Sequence, residues 1–250
     1  MNKEKYLARI KGSGDHKPDL NTLKKLQKSH LLNIPFENLD IHDDIPIVLD
    51  INSIFKKVVE HKRGGFCYEL NGLFFELLAS LNFNAKRVSA RVYDNENGYG
   101  KEFDHFAIIC VIDDDEYLCD VGFGEFTFEP LKLEIGVPQN DARGDFLIDK
   151  YDENYLRVNK IINGTTIPEY IFQKEKRELK DYQKMCLYHQ SNPDSHFTKN
   201  RLISIPTETG RITITGNILK IKDSDLMTET EIKDEKEFQQ VLRNLFNYPG

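Results

Sequence analysis

Arg63-Gly64-Gly65-Phe66-Cys67-Tyr68-Glu69-Leu70-Asn71-Gly72-Leu73-Phe74 reads as a loop that becomes a buried helix, with a cysteine at the junction. Gly64-Gly65 permits backbone angles, or a close approach of two chains, that a side chain would forbid. Leu70, Leu73, Phe74, Leu77, Leu78 and Leu81 recur at helical spacing and define an apolar face. Cys67 then stands in the first turn, where free amide N–H groups and the helix dipole favour a thiolate. A buried cysteine packing as a small hydrophobe satisfies the same pattern. A nucleophile needs a base, and the base needs an orienting group, so the rest of the chain decides between the two readings.

Upstream, Tyr6, Leu7 and Ile10 mark one face of a short helix over 3–10. Asp19 is placed to cap a second helix over 20–32, with Leu20, Leu23, Leu26 and Leu31 recurring along it. His30, near its end, reads as a dipole-satisfying or surface residue. Ile34-Pro35-Phe36-Glu37-Asn38-Leu39-Asp40-Ile41 has no clear period and reads as an ordered connection. Phe36 is a core anchor there, and Glu37, if buried, needs a cation such as Arg63. Ile51, Ile54, Phe55, Val58 and Val59 give an amphipathic helix over 50–60.

After Asn82 the period changes. Val88, Ala90 and Val92 alternate with Ser89 and Arg91 in a half-buried strand over 85–93. Phe106 to Ile112 is a nearly continuous apolar strand, Asp113-Asp114-Asp115 a turn, and 116–121 the return strand of a hairpin. The three aspartates form a solvated turn, lacking the ligand spacing of a calcium loop. Gly122-Phe123-Gly124 breaks the strand, and 126–138 is irregular or short-stranded. Weak alternation follows over 145–150 and 153–159, then an extended stretch to Phe172 and a short polar helix over 175–185. Asn192-Pro193 and Ser195-His196-Phe197-Thr198 punctuate a linker. Strands over 201–206, 211–215 and 218–221 come next, and Phe238, Val241, Leu242 and Leu245 mark a closing helix over 235–246.

The 250 residues, 39% hydrophobic and 30% charged with formal net charge −7, suit an ordinary globular chain of one large or two to three small domains. Mild acidity argues against a nucleic-acid surface. Cys67, Cys110, Cys119 and Cys186 lack metal-ligand spacing and read as free thiols in a reducing compartment. Met1 to Lys5 leads into no apolar stretch of secretory type, and no run approaches a membrane span. A soluble cytoplasmic protein without a metal, nucleic-acid or membrane partner is expected.

The hairpin supplies what Cys67 lacks. His105 opens the apolar strand and Asp120 closes the return strand, so a turn near Asp114 brings them side by side. An aspartate between Cys119 and Val121 is costly unless paired, and His105 is its natural partner. The carboxylate would fix the imidazole tautomer and stabilise the imidazolium. A packing that presents the other ring nitrogen to Cys67 completes a cysteine–histidine–aspartate triad.

This arrangement resembles the arylamine N-acetyltransferase family over nearly the whole chain. Arg63 to Asn71 is similar to that family's nucleophile motif, and Ile34-Pro35-Phe36-Glu37-Asn38-Leu39-Asp40 to its other N-terminal signature. Asp104-His105-Phe106 and Cys119-Asp120-Val121-Gly122-Phe123-Gly124 resemble its histidine and aspartate segments. Asn192-Pro193 with Ser195 to Thr198 resembles the opening of its last domain.

The resemblance implies an α+β fold of three consecutive domains around a cysteine-protease-like catalytic core. These would be a helical bundle (1–82) with the nucleophile, a β-barrel (83–190) with the histidine and aspartate, and an α/β lid (191–250). It implies Cys67, His105 and Asp120 as catalytic residues and Glu37 with Arg63 as a supporting ion pair. Phe36, Val92 and Phe123 would line the arylamine pocket, and Gly124, Ser195, His196, Phe197 and Thr198 would lie near the coenzyme A cleft.

The expected reaction is a ping-pong acetyl transfer from acetyl-CoA, through acetyl-cysteine, to an arylamine, arylhydroxylamine or arylhydrazine. Acetyl-CoA is then a co-substrate, with no tightly bound cofactor. A cysteine protease or transglutaminase uses the same residue types but needs no acetyl-CoA. A non-enzymatic module binding an aromatic ligand has no use for an intact triad.

Overall fold

Strand His105–Ile112 lies between two cores, which is why its sequence is apolar at almost every position. Phe106, Ile108, Cys110 and Ile112 join a helical cluster on one side, while Ala107 and Ile109 join a barrel interior on the other. The computed structural model describes residues 1–12 and 14–248. It shows an N-terminal helical region, a near-closed β-barrel and a C-terminal α/β region.

The helical region contains Lys3–Arg9, Leu20–Asn33, Leu39–His42, Ile51–Phe55 and Cys67–Ser80. Asp19 and Asp50 act as N-caps, accepting from Thr22 N at 2.7 Å and Ser53 N at 2.9 Å. The helix expected over 50–60 changes its hydrogen-bond pattern at Lys56 and continues to Glu60 as a π-helical turn. Ten of the fourteen residues of Cys67–Ser80 are buried, which makes it a central helix rather than a surface one.

His30 departs from its expected surface role. It is fully buried, with the Tyr6 hydroxyl 2.7 Å from Nδ1 and the Phe74 ring 5.4 Å away. Burial, with the nearby Arg9 charge, pushes its imidazole down to about 3.

The barrel is an antiparallel sheet. Its order is Leu131–Lys132, Asp115–Cys119, His105–Ile112, Asn84–Asp94, Thr165–Phe172, Leu156–Ile162, Gly144–Lys150 and Pro138–Asp141. Gln139 bridges the first and last strands, its amide accepting from Lys132 N and donating to Lys132 O, both at 2.8 Å. Asp113 and Asp114 adopt φ values of 49° and 68°, the two-residue turn geometry that matches hairpin twist.

The last sheet runs Phe36–Glu37, Leu202–Pro206, Gly210–Thr215, Ile218–Asp223 and Leu226–Glu231, and helix Glu235–Phe246 contributes to its core. The connection 34–41 therefore contains a strand whose partner lies more than 160 residues away, and so no local period announces it. Leu226–Glu231 was not foreseen; it is exposed at every position and carries no burial alternation. The helix expected over 175–185 begins later, as Leu179–Tyr182 in 3₁₀ form and then Gln183–Ser191. Its Tyr182 stacks on Phe106 at 4.7 Å, so packing rather than the charged run from Glu175 places it.

Candidate active site

Cys67 occupies the first position of its helix, and the Phe66 N–H just before it is satisfied by Glu69 Oε2 at 3.1 Å. Gly64 and Gly65 shape the approach. A Cβ at Gly64 would fall 2.2 Å from Pro35 O, so only glycine lets this loop run against the strand at Phe36. The cysteine is 3% exposed.

His105 and Asp120 flank the open end of the hairpin, in the register that sets Ile108 opposite Cys119. His105 Nε2 lies 2.6 Å from Asp120 Oδ2. The carboxylate also accepts from Tyr170 Oη at 3.1 Å, Asn71 Nδ2 at 2.9 Å and Gly122 N at 2.9 Å. An ionised carboxylate only accepts, so the imidazole proton sits on Nε2, and in the neutral ring Nδ1 carries the lone pair. The ring is held between Phe123 and Tyr170, with centroids at 5.3 and 5.4 Å.

Burial pushes the Cys67 thiol well up, and the Asp104 and Asp120 carboxylates add to the shift; the Tyr68 N–H works the other way. The thiolate-favouring effect of the helix start is thus present but outweighed. Loss of the proton to water is disfavoured, whereas transfer to His105, which lines the same cleft, would create a pair of opposite charges inside the site.

Cys67 and His105 open on a cleft of about 450 Å³, whose wall also contains Phe36, Val92, Phe123 and Phe197. Gly124 and His196 line it too. Ser195 is buried and lines a neighbouring chamber of about 390 Å³ that shares Val92, Asp104, His189 and His196. Its Oγ caps the one-turn helix His196–Lys199. Thr198 is not among the described residues lining the cleft, and its hydroxyl donates to Asn192 O and Ser195 O at 2.9 and 3.0 Å.

The Glu37–Arg63 pair is present, with Arg63 Nη2 2.9 Å from Glu37 Oε1, and belongs to a larger cluster. Arg63 also reaches Asp40 at 2.6 Å, and Lys57 reaches Asp40 at 2.7 Å and Glu69 at 3.0 Å. The Tyr248 hydroxyl donates to Glu37 at 2.7 Å. Burial opposes the charge on Lys57, but Glu69, Glu37 and Asp40 outweigh it and hold its pKa above the ordinary value. Burial pushes Glu69 up to about 7, against the pull of Lys57.

Sequence reading passed over Asn71, Tyr170, Lys57, Asp40 and Tyr248. Asn71 left a signal, an amide between the leucines of an apolar helix face; Tyr170 and Tyr248 left none, because their partners lie 50 and 211 residues away. Among the described residues, no group of three or more His, Cys, Asp and Glu could hold a metal ion, and no helix is long and apolar enough to cross a membrane.

A family-wide sequence profile described as N-acetyltransferase matches residues 19–249. The arylamine N-acetyltransferase pineal gland isozyme NAT-10 of Gallus gallus is 31% identical over 274 residues, covering 99% of this chain and 94% of that protein. The arylamine N-acetyltransferase of Mycolicibacterium smegmatis is 32% identical over 225 residues, covering 88% and 82%. Among solved structures, the M. smegmatis arylamine N-acetyl transferase superposes with a TM-score of 0.91 at 29% identity, over 100% of this chain and 93% of that one. The Mycobacterium marinum arylamine N-acetyltransferase in complex with CoA gives 0.90 at 27% identity, over 99% and 93%. The buried cysteine, histidine and aspartate thus sit in a chain that belongs to the arylamine N-acetyltransferase family and is an acyltransferase enzyme.

Proposed function

We propose that this enzyme moves an acetyl group from acetyl-CoA to an arylamine, arylhydroxylamine or arylhydrazine by a ping-pong route through acetyl-Cys67. The observation that carries the reading is the buried His105–Asp120 contact of 2.6 Å beside a cleft that Cys67 shares. Relatives named as arylamine N-acetyltransferases, one solved in complex with CoA, support the donor and acceptor classes.

His105 Nδ1 takes the Cys67 proton, and Asp120 stabilises the imidazolium. The thiolate attacks the acetyl carbonyl carbon, the bond to the coenzyme sulfur breaks, and His105 returns the proton to the departing thiolate. The oxyanion formed on the way is stabilised by backbone N–H groups at the start of the Cys67 helix. In the second half, the acceptor nitrogen attacks acetyl-Cys67, the C–S bond breaks, and the amine proton passes through His105 to the sulfur. A thioester intermediate keeps enough reactivity for a weakly nucleophilic aromatic amine.

Phe36, Val92 and Phe123 form the acceptor's apolar bed; Gly124 and the Ser195–Thr198 segment serve the coenzyme side, and Glu37 with Arg63 braces the loop before Cys67. The four cysteines are free, which suits the reducing cytoplasm expected for a cysteine nucleophile. The test is intact-protein mass after mixing with acetyl-CoA alone. An acetyl adduct on Cys67 that disappears on adding arylamine is expected; absence of the adduct defeats the proposal.

A further inference from the structure

A second imidazole–carboxylate pair stands on the cleft wall, and acetyl transfer through Cys67 as described does not use it. His189 Nε2 lies 3.3 Å from Asp104 Oδ1, and both residues line the cleft that holds Cys67 and His105. His189 comes from helix Gln183–Ser191, while Asp104 immediately precedes the strand that His105 opens. Both members are fixed. Asp104 Oδ2 accepts from Val92 N at 3.3 Å, and Gly100 leaves it room, since a Cβ there would fall 2.4 Å from that oxygen. The His189 ring is buried among Tyr68, Tyr188 and Phe197, with centroids 6.0, 5.6 and 5.2 Å away.

The surroundings place the protons. A carboxylate only accepts, so Nε2 carries its proton on the Asp104 side, although the contact is a close approach of charge rather than an aligned hydrogen bond. On the other side, Nδ1 lies 3.2 Å from Ser195 Oγ, which is also 3.2 Å from His189 O. The one hydroxyl proton of Ser195 turns to Nδ1 when the ring is neutral and to His189 O when the ring is an imidazolium. Asp104 keeps its partner in either charge state, and no heavy atom has to move.

Asp104 sits against the nucleophile. Tyr68, next to Cys67 in the chain, donates through its hydroxyl to Asp104 O at 3.1 Å. Two carboxylates act on the thiol, and they differ in how far their charge is taken up. Asp120 accepts from His105, Tyr170, Asn71 and Gly122. The Asp104 carboxylate has the Val92 N–H and His189, and among the described residues no lysine or arginine pairs with it. Lys101 stands instead over the Tyr188 ring at 4.4 Å. The other titratable groups about the pair, Cys67, Tyr68, Tyr188, Asp194 and His196, add no lysine or arginine either. A carboxylate left to itself opposes a thiolate beside it, and a donor that takes up its charge eases that thiolate. Asp104 accordingly stands ahead of Asp120 among the charges that hold the Cys67 thiol up.

Taking Cys67 as the nucleophile of the acetyl-transfer reading above, we propose that His189 is a positioning residue that acts through Asp104. Its Nε2–H takes up the carboxylate's charge and so eases ionisation of Cys67 and formation of acetyl-Cys67. The Cys67 proton still goes to His105, which remains the base.

The test is iodoacetamide alkylation of Cys67 against pH, with the adduct located by mass, in wild type, His189→Leu, His189→Gln, Asp104→Asn and the double variant Asp104→Asn/His189→Leu. His189→Leu should move the midpoint upward and slow alkylation on the rising limb by roughly threefold or more. His189→Gln, whose amide still donates, should recover part of the difference. In the Asp104→Asn background the change to leucine should leave the midpoint in place, because no charge remains to be taken up. An unmoved midpoint in His189→Leu overturns the proposal. So does an equal upward move in the Asp104→Asn background, since His189 would then act by packing alone. Should the variants not fold, the imidazole nitrogen-15 shifts of the wild type decide: a proton on His189 Nε2 at neutral pH is expected, and a bare Nε2 facing Asp104 overturns the proposal. These readouts need no acetyl donor, so their failure counts against His189 alone, whereas no acetyl-Cys67 after mixing with acetyl-CoA counts against the acetyl-transfer reading.

Discussion

Asn71, one turn beyond Cys67 on the same helix, donates through Nδ2 to Asp120 Oδ1 over 2.9 Å and accepts the Val121 N–H over 2.9 Å. It also donates to Phe106 O. One amide thus locks the nucleophile helix to both strands of the hairpin that carry the histidine and the aspartate. Asn71→Ala strips a donor from the buried carboxylate and orphans a buried N–H. A loss of about 1–3 kcal/mol in unfolding free energy is expected, with acetyl-Cys67 formation slowed at least about tenfold. Asn71→Asp should be worse, because it sets a second carboxylate against Asp120. Denaturant melts and single-turnover acetylation check both.

Gly122 lies against the nucleophile. A Cβ there would come within 2.8 Å of both Cys67 Cα and Asn71 Nδ2. Gly122→Ala should therefore displace the Cys67 helix or the end of the hairpin, destabilising by about 1–3 kcal/mol and lowering acetyl transfer far more than Gly124→Ala, where a Cβ meets open space. Equal losses in the two variants would contradict this account.

Asp104 is the foremost charge holding the Cys67 thiol up, after burial itself. Removing it makes the thiolate easier to form. The pH at which iodoacetamide reacts half-maximally with Cys67 should move downward in Asp104→Asn, relative to wild type. An upward move would show that Asp104 acts through some other contact.

Lys57 is shared by Asp40 and Glu69, with Glu37 at 3.8 Å. Lys57→Met leaves these carboxylates with Arg63 as the remaining cation of the cluster. A destabilisation of about 3–5 kcal/mol is expected, the range for breaking a buried ion pair from one side. Replacing Glu69 by Gln in the Lys57→Met background should recover part of the loss, measured by urea unfolding at pH 8, where Glu69 of the wild type is mostly ionised.

His30 supplies an acid-sensitive element. Its folded-state pKa, about 3, lies below the ordinary 6.5 because burial disfavours the imidazolium. Between those values the unfolded chain binds the extra proton, so the stability from a neutral His30 is present above 6.5 and lost as pH falls toward 3. About 2 kcal/mol should be gone by pH 5. Subtracting the unfolding free energies of His30→Leu from wild type, pH by pH, isolates this slope. A difference that stays flat from pH 7 to 5 would falsify the assignment.

Several misreadings of the chain share one cause. His30 sits near a helix end, where exposure is the ordinary expectation, yet helices from both sides of it in sequence cover it with Tyr6 and Phe74. Phe36–Glu37 lacks a period because its strand partner is Ile203–Ser204. Leu226–Glu231 pairs through its backbone while every side chain faces solvent, so its composition resembles a loop. By contrast, the 113–114 turn and the Phe106–Ile112 strand were legible because neighbouring residues build them.

Cys67 at a helix start, His105 and Asp120 at the two ends of a hairpin, and the apolar helix face from Leu70 to Leu81 were written in the sequence itself. They depend on local periodicity and turns, which act over a few residues. Tertiary structure decided what those residues experience. It buried the thiol deeply enough to reverse the helix-start effect, closed four donors around Asp120, and gathered three carboxylates and two cations behind the nucleophile loop. Desolvation and charge pairing depend on groups brought together from distant parts of the chain, and no local pattern records them.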